Sequence, residues 1–216
     1  MKKIAIVLSG CGNRDGSELQ ETLSLMLAID RRDWQYQCFA PKMELSVVNH
    51  LTGKEERERR NLLDEAARIA RGNILPLADY KECDYDALAL PGGMGAARNL
   101  SNYAFEGADM EVLPLVAAAI MATHRAGKPV VAMCIAPMIL AKVLGNEGVK
   151  LTLGGECQAA EDARSMGADV QTCKAEEACT DIEHKIVTTP AYMAATHISQ
   201  IFDGAERLVA ELAKIL

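Results

Sequence analysis

With 216 residues, half of them apolar, the chain has the length of one domain and enough apolar matter for a real core. A formal net charge of −7 excludes the basic face that nucleic-acid binding requires and gives no attraction to an anionic membrane surface. No apolar stretch approaches bilayer length, and Ile4 to Leu8 is too short for a signal segment, so a cytoplasmic protein is expected, folded as one domain over residues 1–216.

The β-branched run from Lys3 to Ser9 predicts a strand covered on both faces. Ser17 to Ile29 carries Leu19, Leu23, Met26 and Leu27 at helical spacing. Trp34 to Ala40 predicts a second strand, and Leu45 to Val48 a short one. The alternating charges from Lys54 to Arg60 read as a solvated helix face. Asn61 to Arg71 predicts a helix ended by Gly72. Ala87 to Leu90 is a strand stopped by Pro91-Gly92-Gly93, and Val112 to Arg125 is a helix. Pro129 to Met133 is a buried strand, followed by a helix from Ile135 to Leu144. Strands are expected at Lys150 to Leu153, Val170 to Cys173 and Ile186 to Thr189. Tyr192 to Leu216 is expected to form a final amphipathic helix, interrupted near Gly204. Alternating strands and helices predict an α/β fold with a mostly parallel sheet. In such sheets ligands bind beyond the carboxyl ends of the strands.

The seven cysteines are odd in number and lack C-x-x-C spacing, so no disulfide framework is expected. The four histidines are scattered without H-x-x-x-H spacing, so no metal site is expected.

Three segments carry chemistry. In Gly127 to Pro137 a buried strand runs into Cys134 and a helix begins just beyond it, with Pro137 suited to the first turn. A nucleophile elbow has this layout, and a helix N-terminus favours a thiolate. A strand-end cysteine buried for packing has the same sequence. In Leu90 to Gly95 consecutive glycines follow a strand. They form either a plain tight turn or one side of an oxyanion hole opposite the N–H of Ile135. In Gly10 to Glu18, Glu18 either complements the helix dipole, with Asp15 or Ser17 capping, or aims its carboxyl at Cys134. A dinucleotide site is disfavoured, because Asp15 stands where a third glycine belongs and Ala40-Pro41 closes the second strand.

Taken together, these residues resemble the PfpI-type branch of the class I glutamine amidotransferase-like superfamily. Within that branch they resemble the ElbB family, named for enhancing lycopene biosynthesis. The matching segments are Ser9 to Gly12, Asp15 to Glu18, Asn49 to Gly53, Pro91 to Gly93, Ala97 to Asn102, Met133 to Pro137 and Thr188 to Met193. The resemblance implies a flavodoxin-like three-layer sandwich, a homodimer and a weak, cofactor-independent glyoxalase. Such an enzyme converts glyoxal to glycolate, or methylglyoxal to lactate. On that reading Cys134 is the nucleophile, Glu18 its acid/base partner, Gly93 and Ile135 the oxyanion hole, and Gly92 part of the pocket. His50 either lines that pocket or is a surface loop histidine. One departure stands out: glutamine-hydrolysing relatives use a Cys-His-Glu triad, and neither His184 nor His197 sits in such a motif. The rival readings are a low-turnover binding or redox-sensing protein with a reactive Cys134, and a glutaminase-like protein.

Overall fold

The computed structural model describes residues 1–216. The strands are β1 (Lys3–Val7), β2 (Gln35–Ala40), β3 (Glu44–Val48), β4 (Glu55–Asn61), β5 (Ile74–Pro76), β6 (Ala87–Leu90), β7 (Val130–Met133), β8 (Lys150–Thr152), β9 (Asp169–Gln171), β10 (Cys179–Asp181) and β11 (Ile186–Thr189). The helices are α1 (Leu19–Asp30), α2 (Leu62–Ile69), α3 (Met94–Arg98), α4 (Tyr103–Glu106), α5 (Pro114–Arg125), α6 (Pro137–Leu144), α7 (Gln158–Ser165) and α8 (Ile198–Ile215). Seven strands form one sheet in the order β10-β11-β7-β6-β1-β2-β5. Only the edge pair β10/β11 is antiparallel.

The apolar strand runs explain the layering. Along β1, Ala5 and Val7 enter one core with α5, α6 and α7, while Ile4 and Ile6 enter the other with α1, α2 and α8. A strand alternates faces with period two, so a strand apolar throughout needs helices on both sides. The result is the α/β flavodoxin-like sandwich with a mostly parallel sheet. In the sheet order β7, β6 and β1 are neighbours. The loops after their carboxyl ends therefore meet, and these are the three segments picked out by sequence.

Several elements depart from the sequence expectation. Residues 55–60 are not a helix but most of β4, paired antiparallel with β3 as an exposed hairpin. Alternating charges satisfy an exposed ribbon as well as an exposed helix, because neither buries them. The leucines of α1 also face the other way. Leu19, Leu23 and Leu27 are exposed, whereas Glu21, Thr22 and Ser24 are buried beside Leu25, Met26 and Ile29. The short β5 and β10 and the helix α7 were not foreseen. Finally, α8 begins only at Ile198 and runs unbroken through Gly204. A side chain at Gly204 would collide with the carbonyl of Ala175, so the glycine serves close approach and not a helix break.

Candidate active site

Cys134 follows β7 directly and adopts φ of 59°, a left-handed conformation that costs a non-glycine residue roughly 1–3 kcal/mol. Its N–H donates to the carbonyl of Thr189 on the adjacent strand at 3.0 Å, which ties the turn to the sheet. The N–H of Ala136 turns back to the carbonyl of Met133 at 3.0 Å, and Pro137 opens α6. This is a strained strand-to-helix elbow, the geometry that presents a nucleophile at a sheet's carboxyl edge. Cys134 is 8% exposed, so it is reached from one side only.

The loop after β6 closes against that turn. Gly93 has φ of 99°. A side chain there would strike the backbone of Gly16 and Glu18, and one at Gly92 would strike Cys134 and the carboxyl of Glu21. The N–H groups of Gly93 and Ile135 both reach the Cys134 sulfur. Neither donates to a backbone carbonyl among the loop hydrogen bonds. Gly92→Ala is expected to destabilise the fold by about 1–3 kcal/mol, as overpacking does. It should also slow Cys134 alkylation, measured by intact-protein mass spectrometry alongside a urea titration. Wild-type values in both would show that the loop has room to yield.

The first loop is fastened to the same place. Asn99 Nδ2 donates to the carbonyls of Ser9 at 2.9 Å and Asp15 at 2.8 Å. The N–H of Met94 donates to Asn13 O at 2.8 Å, and that of Glu18 to Gly92 O at 3.0 Å. Glu18 itself is the N-cap of α1, with Oε2 accepting from the Glu21 N–H at 2.7 Å. It lines the pocket, but the carboxyl that meets Cys134 belongs to Glu21, one turn further on. The expected pairing of Glu18 with the thiol is corrected on this point: its side chain is committed to the helix end. Glu21 is fully buried. Its Oε1 accepts from the N–H of Tyr192 at 3.3 Å. Its Oε2 has no aligned hydrogen-bond partner and lies against Gly92, and the carboxyl as a whole interacts with the Cys134 thiol and the Gly92 amide.

Burial, helped by the charge of the neighbouring Glu18, pushes the Glu21 carboxyl up to about 8 against the pull of the thiol and the Tyr192 and Gly92 amides. Burial also raises the Cys134 thiol, and the charge of Glu21 adds to the rise. The Gly93 and Ile135 amides oppose it. Near neutral pH the pair thus carries at most one negative charge, shared between groups that titrate together.

The pocket around the pair holds about 400 Å³, and Asn13, Gln20, Met94, Ile135, Tyr192 and Met193 complete its wall. His50 is elsewhere. It lines a separate polar cavity of about 160 Å³ with Cys11, Asp15, Arg60, Glu65 and Arg68, so its candidate place beside Cys134 is withdrawn. His184 is paired with Asp181 at 2.8 Å in the β10/β11 turn, and His197 caps α8. No histidine lines the Cys134 pocket.

A human protein described as glutamine amidotransferase-like class 1 domain-containing protein 3, mitochondrial, is 39% identical, over 99% of this chain and 83% of its own length. The chain belongs to the glutamine amidotransferase-like class 1 domain family. An ES1 protein homolog of rat, also described as mitochondrial, is a further member at 38% identity over 99% of this chain and 84% of its own. In the same family's fold, the crystal structure of an isoprenoid biosynthesis protein with an amidotransferase-like domain from Ehrlichia chaffeensis superposes with a TM-score of 0.92. It is 32% identical and covers 99% of this chain and 100% of that one. No family model matches the chain. No helix is long and apolar enough to cross a membrane.

Proposed function

We propose that the protein is a cofactor-independent glyoxalase of ElbB type, turning glyoxal into glycolate through covalent catalysis by Cys134. One observation carries this reading: a thiol on a strained elbow meets a buried carboxyl whose pKa lies near working pH, with two uncommitted N–H groups on the sulfur. The ElbB-type assignment rests on the segments quoted from the sequence and on likeness to the Ehrlichia protein.

Ionised Glu21 takes the thiol proton as the sulfur attacks one aldehyde carbon. The C–S bond forms while the carbonyl π-bond opens to an alkoxide. The Gly93 and Ile135 amides hold that oxygen, and Glu21 returns the proton to it, giving a hemithioacetal. Glu21 then removes the proton on the sulfur-bearing carbon, the electron pair moves toward the second carbonyl, and Glu21 delivers the proton to that oxygen, giving an enediol. The second carbon is then reprotonated as the hydroxyl on the sulfur-bearing carbon gives up its proton, leaving a thioester. Water cleaves it to glycolate and frees the thiol. One carbon is oxidised and its neighbour reduced, so no external redox partner is needed. The test is conversion of ¹³C-glyoxal to glycolate by metal-free protein without glutathione, followed by NMR. Absence of glycolate above a no-enzyme control sinks the proposal. So does ammonia release from glutamine that outpaces it.

The implied homodimer has its own support. Leu19, Leu23 and Leu27 form one exposed apolar face of α1, beginning beside Glu18. A second copy covering this face is expected to double the 23.3 kDa mass in light scattering. Leu23→Glu should halve the mass again, and a wild-type monomer at micromolar concentration would refute the pairing.

A further inference from the structure

Glyoxal is only about the size of two waters, each of which takes about 30 Å³ in the liquid. The pocket holds about 400 Å³, within the range that accepts much larger ligands. Beyond the reacting atoms its wall has an apolar side, made by Met94, Ile135, Met193 and the ring of Tyr192. The polar side is Asn13, Gln20 and Glu18, and no Arg, Lys or His lines the space. The nearest cation along the chain, Arg14, turns its guanidinium toward Gly53 of the β3/β4 hairpin. Glu18 is held in place through its cap bond to the Glu21 N–H, so its charge is a fixed feature of the pocket.

We infer that the Cys134 site is a charge filter that admits uncharged aldehydes bearing an apolar substituent and excludes anionic ones, with Glu18 as the specificity-determining residue. This rests on the glyoxalase reading for its substrate class, although the filter itself acts on anything that approaches the sulfur. A substituent next to the dicarbonyl lies on the Met94, Ile135 and Met193 wall and removes apolar surface from water. A carboxylate in the same place meets Glu18 with no cation in the pocket wall to offset it. The same argument disfavours glutamine, whose α-carboxylate would find no partner.

Two measurements separate the filter from the reaction. In the first, Cys134 is alkylated with neutral iodoacetamide and anionic iodoacetate, and the rate ratio is divided by that of N-acetylcysteine amide. Taking a ratio cancels changes in the nucleophilicity of the thiol. The wild-type protein is expected to disfavour iodoacetate by about 10-fold or more relative to the reference thiol. Glu18→Gln keeps a carbonyl oxygen for the α1 cap and should bring the ratio to within about 3-fold of the reference. An unbiased wild-type ratio, or an unchanged ratio in Glu18→Gln, overturns the filter. In the second, kcat/KM is compared for glyoxal, phenylglyoxal and its anionic analogue 4-carboxyphenylglyoxal, with the rates of Cys134→Ser subtracted. Phenylglyoxal should match or exceed glyoxal, and 4-carboxyphenylglyoxal should fall at least about 10-fold below phenylglyoxal. Phenylglyoxal ten-fold worse than glyoxal would overturn the role of the apolar wall. A biased alkylation ratio without turnover of any aldehyde would support the filter and sink the glyoxalase reading. Turnover of 4-carboxyphenylglyoxal equal to that of phenylglyoxal would do the reverse.

Discussion

Cys134→Ser is expected to lose glyoxal turnover by on the order of 10³-fold or more, the scale seen when a covalent nucleophile is removed. A hydroxyl is far less acidic than a thiol. A carboxylate with its pKa at about 8 can deprotonate a thiol during attack, but it is too weak a base for serine, and no histidine lines the pocket to help. The fold should survive, because the residue keeps its N–H bond to Thr189 and nearly its volume. The strain at this position supplies a check independent of activity. The φ of 59° penalises any side chain, so Cys134→Gly should be more stable than Cys134→Ala by about 1 kcal/mol, read from urea midpoints. If Cys134→Ser consumes glyoxal at the wild-type rate, disappearance reflects adducts on lysine and arginine, and the nucleophile assignment fails. If Ala is the more stable substitution, the elbow is not strained.

The elbow was legible because three local signals agree: an apolar strand, a cysteine at its end and a proline in the first turn of the next helix. The glycines after β6 were legible for a similar reason, since only glycine allows the backbone of residues 92 and 93 to pass so close to Cys134 and Glu18. Glu21 was missed. It lies inside α1 between leucines, where a carboxylate reads as solvent-facing and the leucines as core. The structure inverts both assignments. The available signal was in the rest of the turn. Ala28 shares a face with Glu21, Ser24 and Leu25 at helical spacing, and this small, polar stripe is what allows α1 to approach the sheet end with a carboxyl inside. Glu18 drew attention because it ends a glycine-rich loop, yet that position is where a helix needs a cap. The strand β4 of the β3/β4 hairpin was misread because exposed charges alternating in sign leave no period that separates strand from helix, whereas β3 was read as a strand. His50 travels with that hairpin, so its place away from Cys134 follows from the same misread segment.

Glu21→Gln is expected to separate nucleophilicity from catalysis. Glutamine retains the shape and can still accept from the Tyr192 N–H, but it carries no proton between oxygen and carbon. Glyoxal turnover should fall by about 10²–10⁴-fold, the usual weight of a general acid–base. Cys134 alkylation should move the other way. Two influences that raise the thiol, the charge of Glu21 and its hydrogen bond, are gone, while the Gly93 and Ile135 amides remain. Iodoacetamide should therefore react faster with the variant at pH 8–9 than with wild type. Stability gives a third readout with a definite sign. The carboxyl titrates near 4.5 when unfolded and at about 8 when folded, so between these values the native state holds a proton that the unfolded chain has lost. Its contribution is fully present below pH 4.5 and is lost as pH rises through about 8, a swing of a few kcal/mol at about 1.4 kcal/mol per pH unit. Glu21→Gln removes that slope, so the variant should be the more stable protein at pH 9 and show a flatter urea midpoint from pH 5 to 9. Wild-type turnover should rise through about pH 8 as the pair loses its first proton, then decline once both groups are ionised and no acid remains for the alkoxide. A variant that loses turnover and alkylation together would reduce Glu21 to a packing residue. A variant that keeps wild-type turnover would return the proton-carrying role to another group, Glu18 being the nearest carboxylate in the pocket.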